Sequence, residues 1–237
     1  GIYWYALRGK GAYKHDEHGD TRLHCRPMPQ PPTIITARPR LSRLMRDYPD
    51  VPVSVDTFRS AIARQAVEEY GAAMINDISG GSLDEQMYAT VATLGVPYVL
   101  MHMRGTPRTM QQFTDYDDVV EAVMMYFASE LRTLRRLGVA DILLDPGFGF
   151  AKTLEQNYTL MRALSEFADR FEEPLLVGIS RKSMIYRLLG GTPDDSLNGT
   201  TVLNTYALMH GASVLRVHDV RAAVEAVCIT RQLIPSE

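Results

Sequence analysis

Cysteine is nearly missing from this chain: Cys25 and Cys228 are the only two. Two thiols are too few for a disulfide scaffold, so an apolar core must hold the fold, and a reducing compartment, the cytoplasm, is expected. No apolar run approaches the roughly eighteen residues of a membrane-spanning helix. The first residues lack a charged-then-apolar leader, so no secretion signal is expected. Charge of one sign is lacking as well. A net charge of −3 neither recruits nucleic acid nor favours an anionic membrane, and an anionic small molecule would have to be captured by local groups. The G-x-G-x-x-G loop of dinucleotide folds does not occur. "GFGFAKT" (147–153) looks superficially like a nucleotide P-loop, but Ala151 stands where the second glycine should precede Lys152. No Ser-His-Asp or Cys-His constellation suggests a nucleophilic enzyme.

What is present is a rhythm. The length of 237 residues suits a single α/β barrel, and a hydrophobic fraction of 46% supplies a core. From residue 51 onward, apolar runs rich in β-branched residues alternate with longer amphipathic ones. "VPVSVD" (51–56), "AMINDI" (73–78), "PYVLMH" (97–102), "DILLDP" (141–146), "LLVGIS" (175–180) and "SVLRVH" (213–218) are predicted as parallel strands covered on both faces. Helices are predicted over 41–48, 59–70, 83–94, 117–137, 154–171, 197–209 and 220–233. Three of them stop at Gly71, Gly95 and Gly138.

Polar residues gather at the strand ends: Asp56, Asn76 with Asp77, Met101 with His102, Asp145, Ser180 leading to Lys182, and Arg216 with His218. Each alone reads as a helix cap or a satisfied polar group. Six in succession fit the mouth of a (β/α)8 barrel, where all strand ends converge on one face. Asp56, Asn76 and Asp145 are short, rigid groups that suit a flat heterocycle with parallel N–H donors. Lys182, Arg216 and His218 suit an anion. Asp77 and Asp219 read as supporting or capping groups.

The stretches "VPVSVDT", "GAAMINDISGG", "YVLMHMRGTPRTMQ", "ILLDPGFGFAKTLEQN", "GISRKS" and "LRVHDV" occur in the order found in dihydropteroate synthase, the folate-pathway enzyme family that the chain resembles over about residues 45 to 233. Pterin-binding methyltransferases resemble the "DPG" and "ND" parts, not "GISRKS" followed by "RVHDV". The resemblance implies a (β/α)8 TIM barrel that condenses 6-hydroxymethyl-7,8-dihydropterin diphosphate with p-aminobenzoate and releases pyrophosphate. It implies that Asp56, Asn76 and Asp145 hold the pterin, with Met101 lining the pocket. Lys182 would reach the pterin and, with Phe150 and Ser183, place p-aminobenzoate, while Arg216 and His218 bind the diphosphate. Asp145, Lys182, Arg216 and His218 are the implied catalytic residues. Mg²⁺ and a homodimer built through outer helices are implied too.

Residues 1–40 depart from the family. Its "NVTPDSF"-like and "GGESTRPG"-like loops are not found, and this segment, rich in Pro, Arg, His and Gly, reads as loop. The barrel domain is therefore placed at 41–237, with its first one or two strands atypical or missing; "IYWYAL" (2–7) and "TII" (33–35) are the candidates for them. His15, His18, His24 and Cys25 match no zinc spacing. A catalytically inactive pterin-binding module is the alternative reading.

Overall fold

The computed structural model describes Tyr3–Leu7, Gly11–Asp16, Gly19–Leu23 and residues 38–233. In chain order the elements are β1 (Tyr3–Leu7), β2 (Gly11–Asp16), β3 (Gly19–Leu23), α1 (Arg38–Asp47), β4 (Ser54–Asp56), α2 (Ser60–Glu68), β5 (Met74–Asp77), α3 (Met87–Leu94) and β6 (Tyr98–Met101). They continue as α4 (Val119–Arg136), β7 (Ile142–Asp145), α5 (Leu154–Arg162), α6 (Leu164–Arg170), β8 (Leu175–Val177), α7 (Ser183–Leu189), α8 (Leu197–Met209), β9 (Ala212–Leu215) and α9 (Val220–Leu233).

Strands β4 to β9 form one six-stranded parallel sheet in strict sequence order. Parallel neighbours need a crossover, and a helix follows every strand, so each strand lies beside the previous one and the sheet curls as barrel winding does. The result is a half-barrel. Side chains alternate across it. Val55, Ile75, Tyr98, Leu100, Ile142, Leu144, Leu175 and Val177 face the helices and form the main core with Ala63, Val123, Phe127 and Phe167. Burying each large member stabilises by about 1.5–3 kcal/mol. On the concave face Val99, Leu143 and Leu176, with Met74 and Val214 against them, make a second, separate apolar cluster. Helix ends follow the sequence: Gly95 closes α3 at φ 63° and Gly138 follows α4 at φ 89°, left-handed positions that cost glycine little.

Several expectations shift. Tyr3–Leu7, Gly11–Asp16 and Gly19–Leu23 are not loop but three strands of a separate antiparallel sheet, in register from Tyr3↔His15 to Asp16↔Gly19. The Tyr3–Leu7 part of "IYWYAL" is thus a strand, though not a barrel strand. Its β-forming residues pair within a hairpin, which closes a shorter loop than joining a distant parallel sheet would. β1 lies beside β9 and α9. "TII" (33–35) lies outside the described residues, as do His18, His24 and Cys25. Among the described residues, β4 and β9 therefore end the parallel sheet. The predicted helix over 154–171 is two, meeting at Ala163, where nothing in the sequence marks a break. Helix α7 is an addition, and α1 begins at Arg38, ahead of the expected boundary.

Candidate functional site

The concave face carries two tiers. The lower tier is the apolar cluster just described, with Ser54 at its β4 end. Two residues further along each strand or its extension come Asp56, Asn76, Met101, Asp145, Gly178 and Arg216. Since strand side chains repeat every two residues, this upper tier faces the same hollow. Register places Asp56 beside Asn76 and Met101 beside Asp145. Gly178 is the one gap: a Cβ there would sit 3.6 Å from the Arg216 Cβ and 3.9 Å from Asp145 Oδ2. A larger side chain would fill the space between the guanidinium stem and the carboxylate.

Three of the expected residues are joined directly. Asn76 Nδ2 donates to Asp56 Oδ1 at 2.5 Å, and Arg216 Nη2 donates to Asp56 Oδ2 at 2.5 Å. With its amide spent on Asp56, the Asn76 carbonyl oxygen is buried and has no partner. An orphaned buried acceptor costs free energy unless a ligand donor meets it. Asp145 is buried too; its Oδ1 accepts from the Gly147 N–H at 2.8 Å. Burial pushes its carboxyl above the ordinary value, while Lys182, the Gly147 bond, Lys152 and Arg216 pull the other way.

The loop after β7 and the loop after β8 meet through lysines. Lys182 Nζ donates to the Phe148 carbonyl and lies 4.7 Å from the centre of the Phe150 ring. Burial pulls Lys182 down to about 8, against attraction from Asp145. Lys152, from the motif set aside as a P-loop, turns inward instead. Its Nζ donates to Gly147 O at 3.0 Å, to Phe150 O at 2.9 Å and to His102 Nδ1 at 3.1 Å, so its three protons are used. Burial draws Lys152 to about 7 and His102 to about 2. His102, expected at the mouth, is thus a buried, neutral acceptor between Tyr126 and Tyr116. Ala151, where a glycine would suit better, sits at φ 50°.

The rim is organised by a second set. Arg181, at φ 55°, grips Asp219 with Nε at 2.9 Å and Nη2 at 2.7 Å and reaches Asp194 at 3.4 Å. That pair ties the β8 loop to the β9 loop and holds the Asp219 carboxyl below its ordinary value. Asp219 is a brace, as expected. Ser180 Oγ bonds both the backbone N–H and Nδ1 of His218, each at 3.1 Å, and His218 is exposed. Ser183, half-buried, opens α7. Asp77 is buried and braces its own turn: its oxygens accept from Ser79, Gly81 and the Tyr98 hydroxyl.

The upper tier therefore brings together Asp56, Asn76, Met101, Asp145 and Arg216, with Lys182 and Phe150 above Asp145's loop. Sequence reasoning passed over Gly178, Lys152 and Arg181. A glycine inside "LLVGIS", two residues past an inward-facing leucine, was the available signal for the first. Among the described residues, no three His, Cys, Asp or Glu side chains cluster so as to hold a metal ion.

A family model described as pterin binding enzyme matches residues 33–218. The dihydropteroate synthase of Synechocystis sp. is 44% identical over 184 residues, which are 76% of this chain and 63% of that protein. The chain thus spans less than two thirds of that relative's length. Among solved structures, dihydropteroate synthase from Thermus thermophilus in complex with 6HMPPP superposes with a TM-score of 0.77 at 40% identity, covering 82% of this chain and 76% of that one. The same enzyme in complex with 4-aminobenzoate gives 0.77 and 40%, covering 82% and 78%.

Proposed function

The chain belongs to the pterin-binding enzyme family, and from that premise we propose that it condenses 6-hydroxymethyl-7,8-dihydropterin diphosphate with p-aminobenzoate to give 7,8-dihydropteroate and pyrophosphate. The observation that carries this reading is the upper tier, where a buried carboxylate at Asp145 and an orphaned carbonyl at Asn76 await donors within one hollow. A pterin edge has such donors. The two Thermus thermophilus complexes support the substrate pair.

In this reading Asp145 accepts two parallel N–H bonds from the pterin edge, Asp56 and Asn76 hold it from the side, and Met101 lines the pocket. Lys182, Phe150 and Ser183 place p-aminobenzoate. Arg216 and His218 receive the diphosphate at the rim. Reaction breaks the C–O bond between the pterin methylene and the diphosphate, and the electron pair leaves with pyrophosphate. The arylamine nitrogen lone pair forms the new C–N bond, and that nitrogen then gives a proton to water. As the C–O bond stretches, positive charge spreads into the pterin, where Asp145 and Asp56 stabilise it. Arg216 and His218 stabilise the departing anion, as preorganised charge and donors do.

Magnesium belongs to the same proposal as a companion of the diphosphate oxygens, which is how this ion is commonly held. The described side chains do not themselves fit a resident magnesium site, so each step above is carried by the chain's own residues. A homodimer is also proposed, supported by exposed apolar side chains on three consecutive outer helices: Leu188 and Leu189 on α7, Val202 and Met209 on α8, Ile229 and Leu233 on α9. Light scattering of the wild type and Val202→Glu tests it, with a loss of mass expected in the variant. The exposed free thiol of Cys228 supports a reducing compartment, the cytoplasm. Among the described residues no helix is long and apolar enough to cross a membrane.

The test is pyrophosphate release when p-aminobenzoate and magnesium are added to the chain with pterin diphosphate. Release is the expected result. Pterin binding without release would leave an inactive pterin-binding module, a second reading favoured by one fact: none of β1, β2 and β3 joins the parallel sheet. Absence of pterin binding would remove both.

A further inference from the structure

Ser180 stands at the mouth of the hollow, yet it is buried at 5% exposure and faces His218 rather than open space. Its single oxygen serves two nitrogens of one residue. The His218 backbone N–H donates to Oγ at 3.1 Å, which occupies one lone pair. The ring contact, Oγ to Nδ1, is also 3.1 Å. A hydroxyl has one proton to give, and Ser180 has no other side-chain hydrogen-bond partner among the described residues. If neutral His218 kept its proton on Nδ1, Oγ would accept twice and its own proton would be buried without an acceptor. If Nδ1 is bare, the hydroxyl proton goes to it and all three groups are satisfied.

We propose that Ser180 is a positioning residue that holds neutral His218 in the Nε2–H tautomer and fixes its ring, so that an N–H donor faces an anion at the rim. The tautomer stands on this geometry alone; that the anion is a diphosphate rests on the reading given under Proposed function. A neutral imidazole in the other tautomer would present a lone pair to the anion and repel it. Ser180 thus lets His218 donate without being a cation, beside the permanent charge of Arg216. The remaining charged neighbours are Asp219, next in the chain and electrostatically coupled to the ring, and Arg181, which holds Asp219 by two bonds.

Long-range ¹⁵N–¹H spectra of the full chain at pH 9 read the tautomer directly, and calorimetry with inorganic pyrophosphate at the same pH reads its use. Wild type is expected as Nε2–H alone, Ser180→Ala as a mixture, and Ser180→Thr as wild type. Pyrophosphate affinity in Ser180→Ala should fall about threefold to tenfold at pH 9, the scale of one hydrogen bond. A wild-type Nδ1–H signal, or an unchanged tautomer in Ser180→Ala, overturns the proposal. So does an unchanged pyrophosphate affinity in Ser180→Ala, which would mark Ser180 as a packing residue only. Failure of wild type to bind pyrophosphate would count against the diphosphate reading instead, and the spectra would still decide the tautomer.

Discussion

Asp145→Asn separates binding from folding more sharply than any other change in the hollow. The amide keeps an oxygen for the Gly147 N–H, now bonded at 2.8 Å, so the turn after β7 has no reason to move. The other oxygen becomes an NH₂ group that meets the pterin's donors head-on. One charged hydrogen bond, about 1.5–3 kcal/mol, is lost, and a second donor is left unsatisfied at about 1–3 kcal/mol. The sum, about 2.5–6 kcal/mol, corresponds to a fall in pterin affinity on the order of 10²- to 10⁴-fold. Stability should go the other way. Burial raises the Asp145 carboxyl even after attraction by Lys182, Lys152 and Arg216 is counted. A raised acid contributes stability fully present below its unfolded value of 3.8, and that stability is lost as pH rises through the folded value. The wild type gives up this contribution on ionising, and asparagine has none to give up. Calorimetry with a pterin phosphate, paired with thermal melts at pH 7, should find weaker binding and a melting temperature at or above wild type. Unchanged affinity would refute the assigned role, and a joint collapse of affinity and melting temperature would show Asp145 to be structural.

Three further outcomes follow from the geometry. Arg216→Ala should weaken pyrophosphate binding by roughly 10- to 100-fold, the scale of a bond to a charged group; a pterin lacking phosphate should lose little affinity by calorimetry, because Asn76 still holds Asp56. Gly147→Ala should destabilise by about 2 kcal/mol or more in denaturant titration, since its Cβ would lie 2.1 Å from the His102 carbonyl oxygen at a φ of 72°. His102, drawn to about 2 from 6.5 by burial and by Lys152, supports stability above pH 6.5 that is lost as pH falls toward 2. The slope is at most about 1.4 kcal/mol per pH unit, and His102→Asn should flatten it between pH 6.5 and 5 in denaturant titrations.

The parallel half of the fold was legible because its signal is redundant. Apolar runs, intervening helical faces and stop glycines agree with one another, and β7 or α8 sit where those patterns put them. The upper tier was legible for the same reason: Asp56, Asn76, Asp145 and Arg216 break an apolar run at its last turn. Their bonds to each other were not, because they join residues as much as 160 apart in sequence. His102 misled, since a strand-end histidine reads alike whether it faces ligand or a buried lysine fifty residues on. Strands β2 and β3 were missed because Gly, Lys, Asp and Arg break up their apolar residues, so no alternation survives, and β1 was marked as a candidate but for the wrong sheet. Helix α7 is short and follows directly on "GISRKS", whose polar residues mask its start.

Two tiers spaced by two residues have a consequence for how such a hollow can change over time. Replacing Asn76 or Met101 alters what the cup recognises while Ile75 and Leu100, on the opposite face, go on packing against the helices. Inserting or deleting one residue within β5 or β7 would swap the faces, turning a carboxamide or carboxylate into the oily layer and an aliphatic chain into the cup. Substitution is therefore the open road for new ligands here, and length change within the strands is closed.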